Sequence, residues 1–346
     1  MRTVLVTGGA GYVGSHACKA FAAAGWRVVA YDNLSRGWAD AVRWGPLVQG
    51  DVLDRTAVEA ALQTHKPDLV AHFAAVAYVG ESVADPASYY RINTAGSASL
   101  LEAMRNQGVS RLLFSSTCAT YGDPVRLPID EGHPQSPVNP YGRSKLFVEQ
   151  MIKDHAAAYG LSAVCLRYFN AAGADPALEI GERHEPETHV IPLALRAALG
   201  RNDGFQIYGS DFETRDGSAI RDYIHVSDLA DAHILAAEAL MTRSGLAIYN
   251  LGTGDGTSLL ELVQAVRRVT GRDFDPIRGP RRPGDPAMLV ASAEKARREL
   301  GWKPTRSDIE TILTTALAWE RKDSLQLHAN PVQLPSGREL GVVAAT

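Results

Sequence analysis

Over the first 170 positions, short apolar runs rich in β-branched residues alternate with stretches whose apolar residues recur every three or four positions. Positions 3–7, 27–32, 47–51, 68–74 and 111–115 read as buried strands. Positions 12–24, 56–64 and 87–106 read as helices between them. A further helix is predicted over 141–159 and a further strand over 162–168. Alternation of this kind predicts an α/β fold built on a doubly wound parallel sheet, a Rossmann fold with right-handed crossovers.

Beyond Asn170 the rhythm changes. Positions 173–187 are polar and rich in Gly, Pro and Glu, which reads as loop. Helical patterns follow at 191–199, 226–240 and 259–269, interrupted by strand-like runs at 205–208 and 247–252. This predicts a main domain over 1–170, to which later segments return, and a smaller C-terminal α/β lobe over 171–323. The last stretch, 324–346, holds Pro331, Pro335 and Gly337 with no clear period and is expected to be a loose tail. Neither an internal repeat nor a low-complexity segment is visible.

Composition narrows the class. The 346 residues are 45% apolar and 21% charged, ordinary for a globular protein with a sizeable core. A net charge of −4 gives no electrostatic case for nucleic acid or an anionic membrane. Cys18, Cys118 and Cys165 are too dispersed for a disulfide framework, and no metal site is expected. The chain runs from Met1 straight into a strand and has no apolar run long enough to span a bilayer, so a cytoplasmic protein is expected.

Candidate chemistry begins with the glycines. Gly8-Gly9-Ala10-Gly11-Tyr12-Val13-Gly14 follows a predicted strand and opens a predicted helix, the setting that makes a glycine pattern specific for a dinucleotide. Gly8 and Gly11 allow the tight turn and close backbone approach, and Gly14 permits close helix–strand packing. The pyrophosphate then meets free N–H groups and the positive end of the helix dipole. Asp32 ends the second strand, where a carboxylate accepts hydrogen bonds from ribose hydroxyls and repels the extra phosphate of NADP, so NAD is expected. Arg36 stands close by. Asp51, ending the third strand, is placed to meet the adenine.

Tyr141 and Lys145 stand four residues apart on a predicted helix and therefore share a face. An ammonium beside a phenol favours the phenolate, and a second cation on a bound cofactor can add to it, so the tyrosine is expected to titrate towards neutrality and to take a proton from a sugar hydroxyl. The strand ending near Ser115 leads into Ser116-Thr117-Cys118-Ala119-Thr120-Tyr121-Gly122. A hydroxyl at that carboxyl end can hydrogen-bond the reacting oxygen, although hydroxyls in such turns also cap backbone.

With these motifs the sequence resembles the extended short-chain dehydrogenase/reductase superfamily, and most closely the UDP-glucose (UDP-galactose) 4-epimerases. The matching stretches are TGGAGYVGSH (7–16), YDNLS (31–35), HFAA (72–75), VGES (79–82), FSSTCATYG (114–122), NPYGRSKLFVEQ (139–150), LRYFNAAGA (166–174), RDYIHVSDLADAH (221–233), YNLGTG (249–254) and RRPGD (281–285). The resemblance implies that Tyr141 is the catalytic base and acid, Lys145 its activator and ribose ligand, and Thr117 the hydroxyl on the substrate's O4. It places Gly8, Gly11, Tyr12, Val13, Gly14, Asp32, Asn33, Asp51, Val52, Phe73, Ala74, Ala75, Asn93 and Phe169 at NAD contacts. Asn170, Arg221, Arg282, Asp285 and Leu289 fall at the UDP-sugar, the arginines suiting a diphosphate through their planar fork. A homodimer is implied as well.

Two departures stand out. Ala77 sits where many glucose-type members carry a lysine near the NAD phosphates. Leu289 replaces a large tyrosine of some members, which leaves room for N-acetylhexoses, and HFAAVAYVGES also resembles UDP-arabinose (UDP-xylose) 4-epimerases. A dehydratase of the superfamily would carry Asp-Glu after the threonine, where this chain has Cys118-Ala119. A uronic-acid decarboxylase fits FSSTCATYG and RDYIHV less well. A non-catalytic NAD-binding protein could lose the tyrosine or the lysine, and both are present.

Overall fold

The computed structural model describes residues 1–282 and 285–329, and the side chains of all of these except 324–329. Its centre is a seven-stranded sheet. Six strands come from the first half of the chain: β1 (Thr3–Thr7), β2 (Arg27–Asp32), β3 (Leu47–Gln49), β4 (Leu69–His72), β5 (Arg111–Thr117) and β6 (Ser162–Tyr168). The seventh, Leu246–Leu251, returns from the second half to pair with β6. Read across the sheet, the order is Leu246–Leu251, β6, β5, β4, β1, β2, β3, with every pair parallel. β1 is buried at all five positions, as a central strand covered on both faces must be.

The chain leaves β1 towards β2 and β3, then restarts at β4 on the other side of β1. That reversal opens a crevice at the carboxyl ends of β1 and β4, where ligands bind in open α/β sheets. The helix α1 (Tyr12–Ala23) runs from the β1 end and packs on the helix Val226–Thr242. One core lies on that side, around Val4, Val6, Phe21 and Trp302. A second core on the other face gathers Leu5, Val29, Leu62, Leu100 and Ile152.

After Asn170 the chain builds smaller pieces around a third core that includes Ile191, Leu195, Phe205, Leu262 and Leu313. Ile220–Arg221 lies between Thr257–Ser258, antiparallel, and Met288–Leu289, parallel. Asn170–Ala172 pairs with Tyr223–His225, and Gln206–Tyr208 with Ile277–Gly279. Residues 173–187 carry no regular element, as their composition predicts.

Two expectations need correction. The helix expected over 87–106 is interrupted: Pro86–Tyr89 passes into a π-helical turn, Tyr90–Ala95, before Gly96–Asn106 resumes α-helical spacing. π-turns of this kind concentrate at functional sites. The tail expected from Ser324 is helical at its start, because the helix begun at Ile309 continues to Ala329. That helix is held by Ile312, Leu313, Ala316 and Leu317. Residues 330–346 lie outside the described residues.

Candidate active site

The β1–α1 turn is shaped by glycine. Gly8 has φ +73°, and a Cβ there would lie 2.6 Å from the Ala74 amide nitrogen and 2.8 Å from the Phe73 carbonyl carbon. A Cβ on Gly14 would lie 2.1 Å from the Gly8 carbonyl oxygen. The turn therefore touches the β4 end backbone to backbone, and its N–H groups at the start of α1 are left facing the crevice with no side-chain cap.

Asp32 is fixed at the end of β2 by the amides of Ala10 (3.0 Å) and Leu34 (2.8 Å). Burial raises its pKa against the pull of those two N–H groups. Each carboxylate oxygen keeps a lone pair for a ribose hydroxyl. Asn33 and Asp51 meet next to it, Asn33 Nδ2 donating to Asp51 Oδ2 at 2.9 Å. Arg36 is paired with Glu81 and lies over the Tyr78 ring, so its charge is answered within the protein. Tyr12 points across the crevice and donates to the Gly173 carbonyl at 2.6 Å. Phe73 and Phe169 border the same region, Phe169 buried and Phe73 stacked near His233. Asn93, in the π-turn, brackets Val76 through two 2.9 Å hydrogen bonds and donates to Ser144 at 3.0 Å. It thereby ties the segment holding Ala74 and Ala75 to the helix that carries Tyr141.

That helix, Pro140–Tyr159, starts with proline at its first position and with Asn139 capping the Gly142 amide at 2.8 Å. Tyr141 thus emerges in the first turn, beside the carboxyl end of β5. There the Thr117 hydroxyl accepts from the Ala119 amide at 3.1 Å and stands near enough to the Tyr141 phenol to pull its pKa down. Thr117 caps backbone and acts on the phenol at once. Lys145 lies one turn further on, buried, with Nζ donating to the Ser115 carbonyl at 2.9 Å and placed over the Phe114 ring.

The expected fall in the tyrosine's pKa does not occur in the protein alone. Burial pushes the Tyr141 phenol up, with Tyr168 adding to it, and Thr117 offsets only part. Burial also brings Lys145 down to about 7, against the attraction of Glu149. The cause is burial: both groups sit where water cannot solvate their charges, and desolvation is the largest contribution to each shift. Cys118, next to Thr117, is pushed up to about 12 by burial and has no acid or base role at neutral pH.

Across the crevice, Leu289 lies in register with Arg221. Arg221 donates to the Ile220 carbonyl at 2.8 Å and pairs with Asp285. Arg282 lies 3.7 Å from the Tyr208 ring centroid, a cation stacked on an aromatic face. Asn170 opens the strand beside Tyr223. Pro283 and Gly284, between the two, lie outside the described residues.

Sequence reasoning missed two buried anchors. Asp222, fully buried, accepts from Thr253 N (2.8 Å), Thr253 Oγ1 (2.7 Å), Gly254 N (3.1 Å) and Ala291 N (3.1 Å). It locks the strand holding Arg221 to two other segments. Glu149, four residues after Lys145, accepts from Ser116 (2.5 Å) and from Arg167 through Nε (2.9 Å) and Nη2 (2.5 Å). Its helical spacing from Lys145 was the one available signal.

Comparison with known proteins agrees with this geometry. Residues 4–252 match the model of the NAD dependent epimerase/dehydratase family. A UDP-glucose 4-epimerase of Rhizobium meliloti is 51% identical over 319 residues, covering 92% of this chain and 97% of the relative. The crystal structure of UDP-glucose 4-epimerase from Brucella ovis in complex with NAD is 53% identical, with a TM-score of 0.90 over 92% of this chain and 98% of that one. A UDP-glucose-4-epimerase from Stenotrophomonas maltophila, with bound NAD and formylated UDP-arabinopyranose, is 41% identical with a TM-score of 0.91, covering 94% and 100% of the two chains. A dinucleotide turn, a Tyr–Lys pair and a matching fold along nine-tenths of the chain lead to one conclusion: this chain belongs to the NAD dependent epimerase/dehydratase family.

Proposed function

We propose that this chain is a UDP-glucose 4-epimerase, interconverting UDP-galactose and UDP-glucose through a transient 4-keto sugar nucleotide. The observation that carries the reading is the buried Tyr141 at the end of β5, with Thr117 lowering its pKa from beside it and Lys145 one helical turn away. The enzyme is NAD-dependent, and the residues fit that cofactor. Gly8 and Gly14 leave space a Cβ would fill, α1 offers free amides for a diphosphate, and Asp32 offers acceptors for a ribose. Held by these residues, NAD would supply reversible hydride acceptance at C4 and a positive charge beside the phenol.

Tyr141 accepts the O4 proton, aided by Thr117, and later returns it to the same oxygen after the ring has turned over. Lys145 orders the base end of the pocket through Ser115 and adds a cation beside it when protonated. Arg221 and Arg282 grip the diphosphate, so binding energy is spent on the part of the substrate that does not react. The sugar can then rotate. Loss of water is disfavoured, since Cys118 and Ala119 offer neither an acid nor a base.

Purified protein given UDP-galactose without added NAD is expected to yield UDP-glucose on chromatography. No conversion, even with NAD supplied, would sink the reading; faster conversion of UDP-arabinose or UDP-N-acetylgalactosamine would move the substrate. Gly14→Ala sets a Cβ 2.1 Å from a carbonyl oxygen with backbone on both sides. It is expected to cost about 1–3 kcal/mol of stability and to lower the NAD content of the purified protein, read from absorbance after denaturation. The resemblance further supports a cytoplasmic homodimer acting in galactose metabolism; sedimentation should give about twice the 37.2 kDa of one chain. Among the described residues, no helix is long and apolar enough to cross a membrane.

A further inference from the structure

The segment 173–187, read as plain loop, and the two residues after it bring four donors together at the edge of the crevice. Glu182, His184, Glu187 and His189 each offer one ligand atom, and all four atoms lie within 4.8 Å of one another. His189 Nδ1 is 2.8 Å from Glu182 Oε1 and 3.2 Å from Glu187 Oε1. His184 Nδ1 is 3.3 Å from Glu182 Oε1 and 3.9 Å from Glu187 Oε2.

Short distances alone would describe an ion-pair cluster. Unsatisfied atoms within the cluster add a second observation. His184 Nδ1, His189 Nδ1 and Glu187 Oε2 are buried atoms that make no hydrogen bond among the described residues, despite such close neighbours. Glu187 is the most telling. Its side chain is 2% exposed, and its Oε1 is held by the amides of Thr188 (2.9 Å) and His189 (2.8 Å). Oε2 is thereby aimed into the cluster with nothing to receive. Lone pairs that crowd together without meeting converge on a shared centre.

Zinc bound tetrahedrally at about 2.0–2.2 Å sets its ligand atoms about 3.3–3.6 Å apart. With Glu187 Oε2 as the fourth ligand atom, separations of 2.8, 3.3 and 3.9 Å straddle that value. Two carboxylates exclude an anion from the same space. Two imidazoles favour a borderline metal over Ca2+ or Mg2+, which prefer oxygen.

We propose that Glu182, His184, Glu187 and His189 form a four-coordinate site for a divalent transition-metal ion, with Zn2+ the best match to its donors. The His189 side chain is 43% exposed and gives the ion a way in. Any proton on the imidazoles passes to solvent as the metal binds. The rings of Tyr78 and Tyr12 lie against His184, with centroids 5.6 and 6.2 Å away. A metal there pins the 173–189 segment to the two walls of the dinucleotide crevice.

The test uses the full chain without a histidine tag, stripped with chelator and titrated with Co2+ alone and Zn2+ alone. About one equivalent is expected, with the visible bands of tetrahedral cobalt and no thiolate charge-transfer band. Affinity should fall more than about 100-fold in His184→Gln and in Glu187→Gln, beyond the loss typical of an outer partner. Melting of the metal-free variants by circular dichroism confirms that they fold. Absence of a stoichiometric site in the native chain, thiolate absorption, or unchanged affinity in the folded variants would overturn the proposal. None of these readouts depends on sugar-nucleotide turnover, so the site and the proposed activity stand or fall separately.

Discussion

Tyr141→Phe is expected to cut the conversion of UDP-galactose by about 10³- to 10⁴-fold, the upper part of the range for losing an acid–base group. The same oxygen takes the proton in one half of the cycle and returns it in the other, so no step escapes the loss. The ring itself is conserved by the change. It keeps its edge contact with Tyr89, 6.4 Å between centroids, and the buried pocket keeps its shape. Stability and NAD content should therefore stay at the level of the native protein. A variant that retains NAD and also retains turnover would remove Tyr141 from the chemistry. Its burial adds a second expectation: the phenol stands too high to ionise in the protein alone, so a phenolate should be detectable by ultraviolet difference only when oxidised NAD is present.

Much of the site was legible because it depends on local backbone. Gly8 and Gly14 announce a turn that admits no side chain, and Tyr141 and Lys145 share a face by helical spacing alone. Asp32 follows from where a strand ends. The strands of the main sheet were readable for a related reason, since central parallel strands such as β1 and β4 are buried throughout and mostly apolar. What escaped was long-range or a matter of degree. Asp222 looks like one more acidic residue until Thr253, Gly254 and Ala291 arrive from elsewhere in the chain. Glu149 and Arg167 form a buried pair across 18 positions of sequence. The π-turn at Tyr90–Ala95 has no compositional signature, because its spacing is imposed by Asn93 reaching both Val76 and Ser144. Desolvation is the deepest of these. Pairing Tyr141 with Lys145 predicts a lowered pKa, whereas burial of both, invisible in a sequence, reverses the sign.

Lowering the pH from 7 to 5 is expected to remove roughly 6 kcal/mol of stability, a large share of what a folded domain has. The cause is three fully buried histidines. His16 and His233 are depressed from 6.5 to about 4 by burial, and His72 to about 3 by burial and by the charge of Lys145. In His16 and His233 the Nδ1 side is bonded to the carbonyls of Tyr12 and Leu229, each at 2.8 Å. Their Nε2 atoms are buried with no hydrogen-bond partner among the described residues, so a proton there would gain no acceptor. His72 is clamped between Thr7 (2.7 Å) and Ser97 (2.8 Å), whose own hydroxyl is committed to the Asn93 carbonyl.

The sign follows from proton counts. Between about 4 and 6.5 the unfolded chain binds these protons and the folded chain does not, so stability rises with pH across that window and falls as acid is added. At pH 5 each histidine accounts for roughly 2 kcal/mol. Asp175 pulls the His16 value up and Lys19 and His225 push it down, which leaves burial in control. Urea unfolding at the two pH values measures the total. His233→Leu removes one of the three protons and should reduce the pH 7 to pH 5 difference by roughly 2 kcal/mol. An unchanged difference in that variant would mean that acid acts elsewhere, through carboxylates that lose their partners.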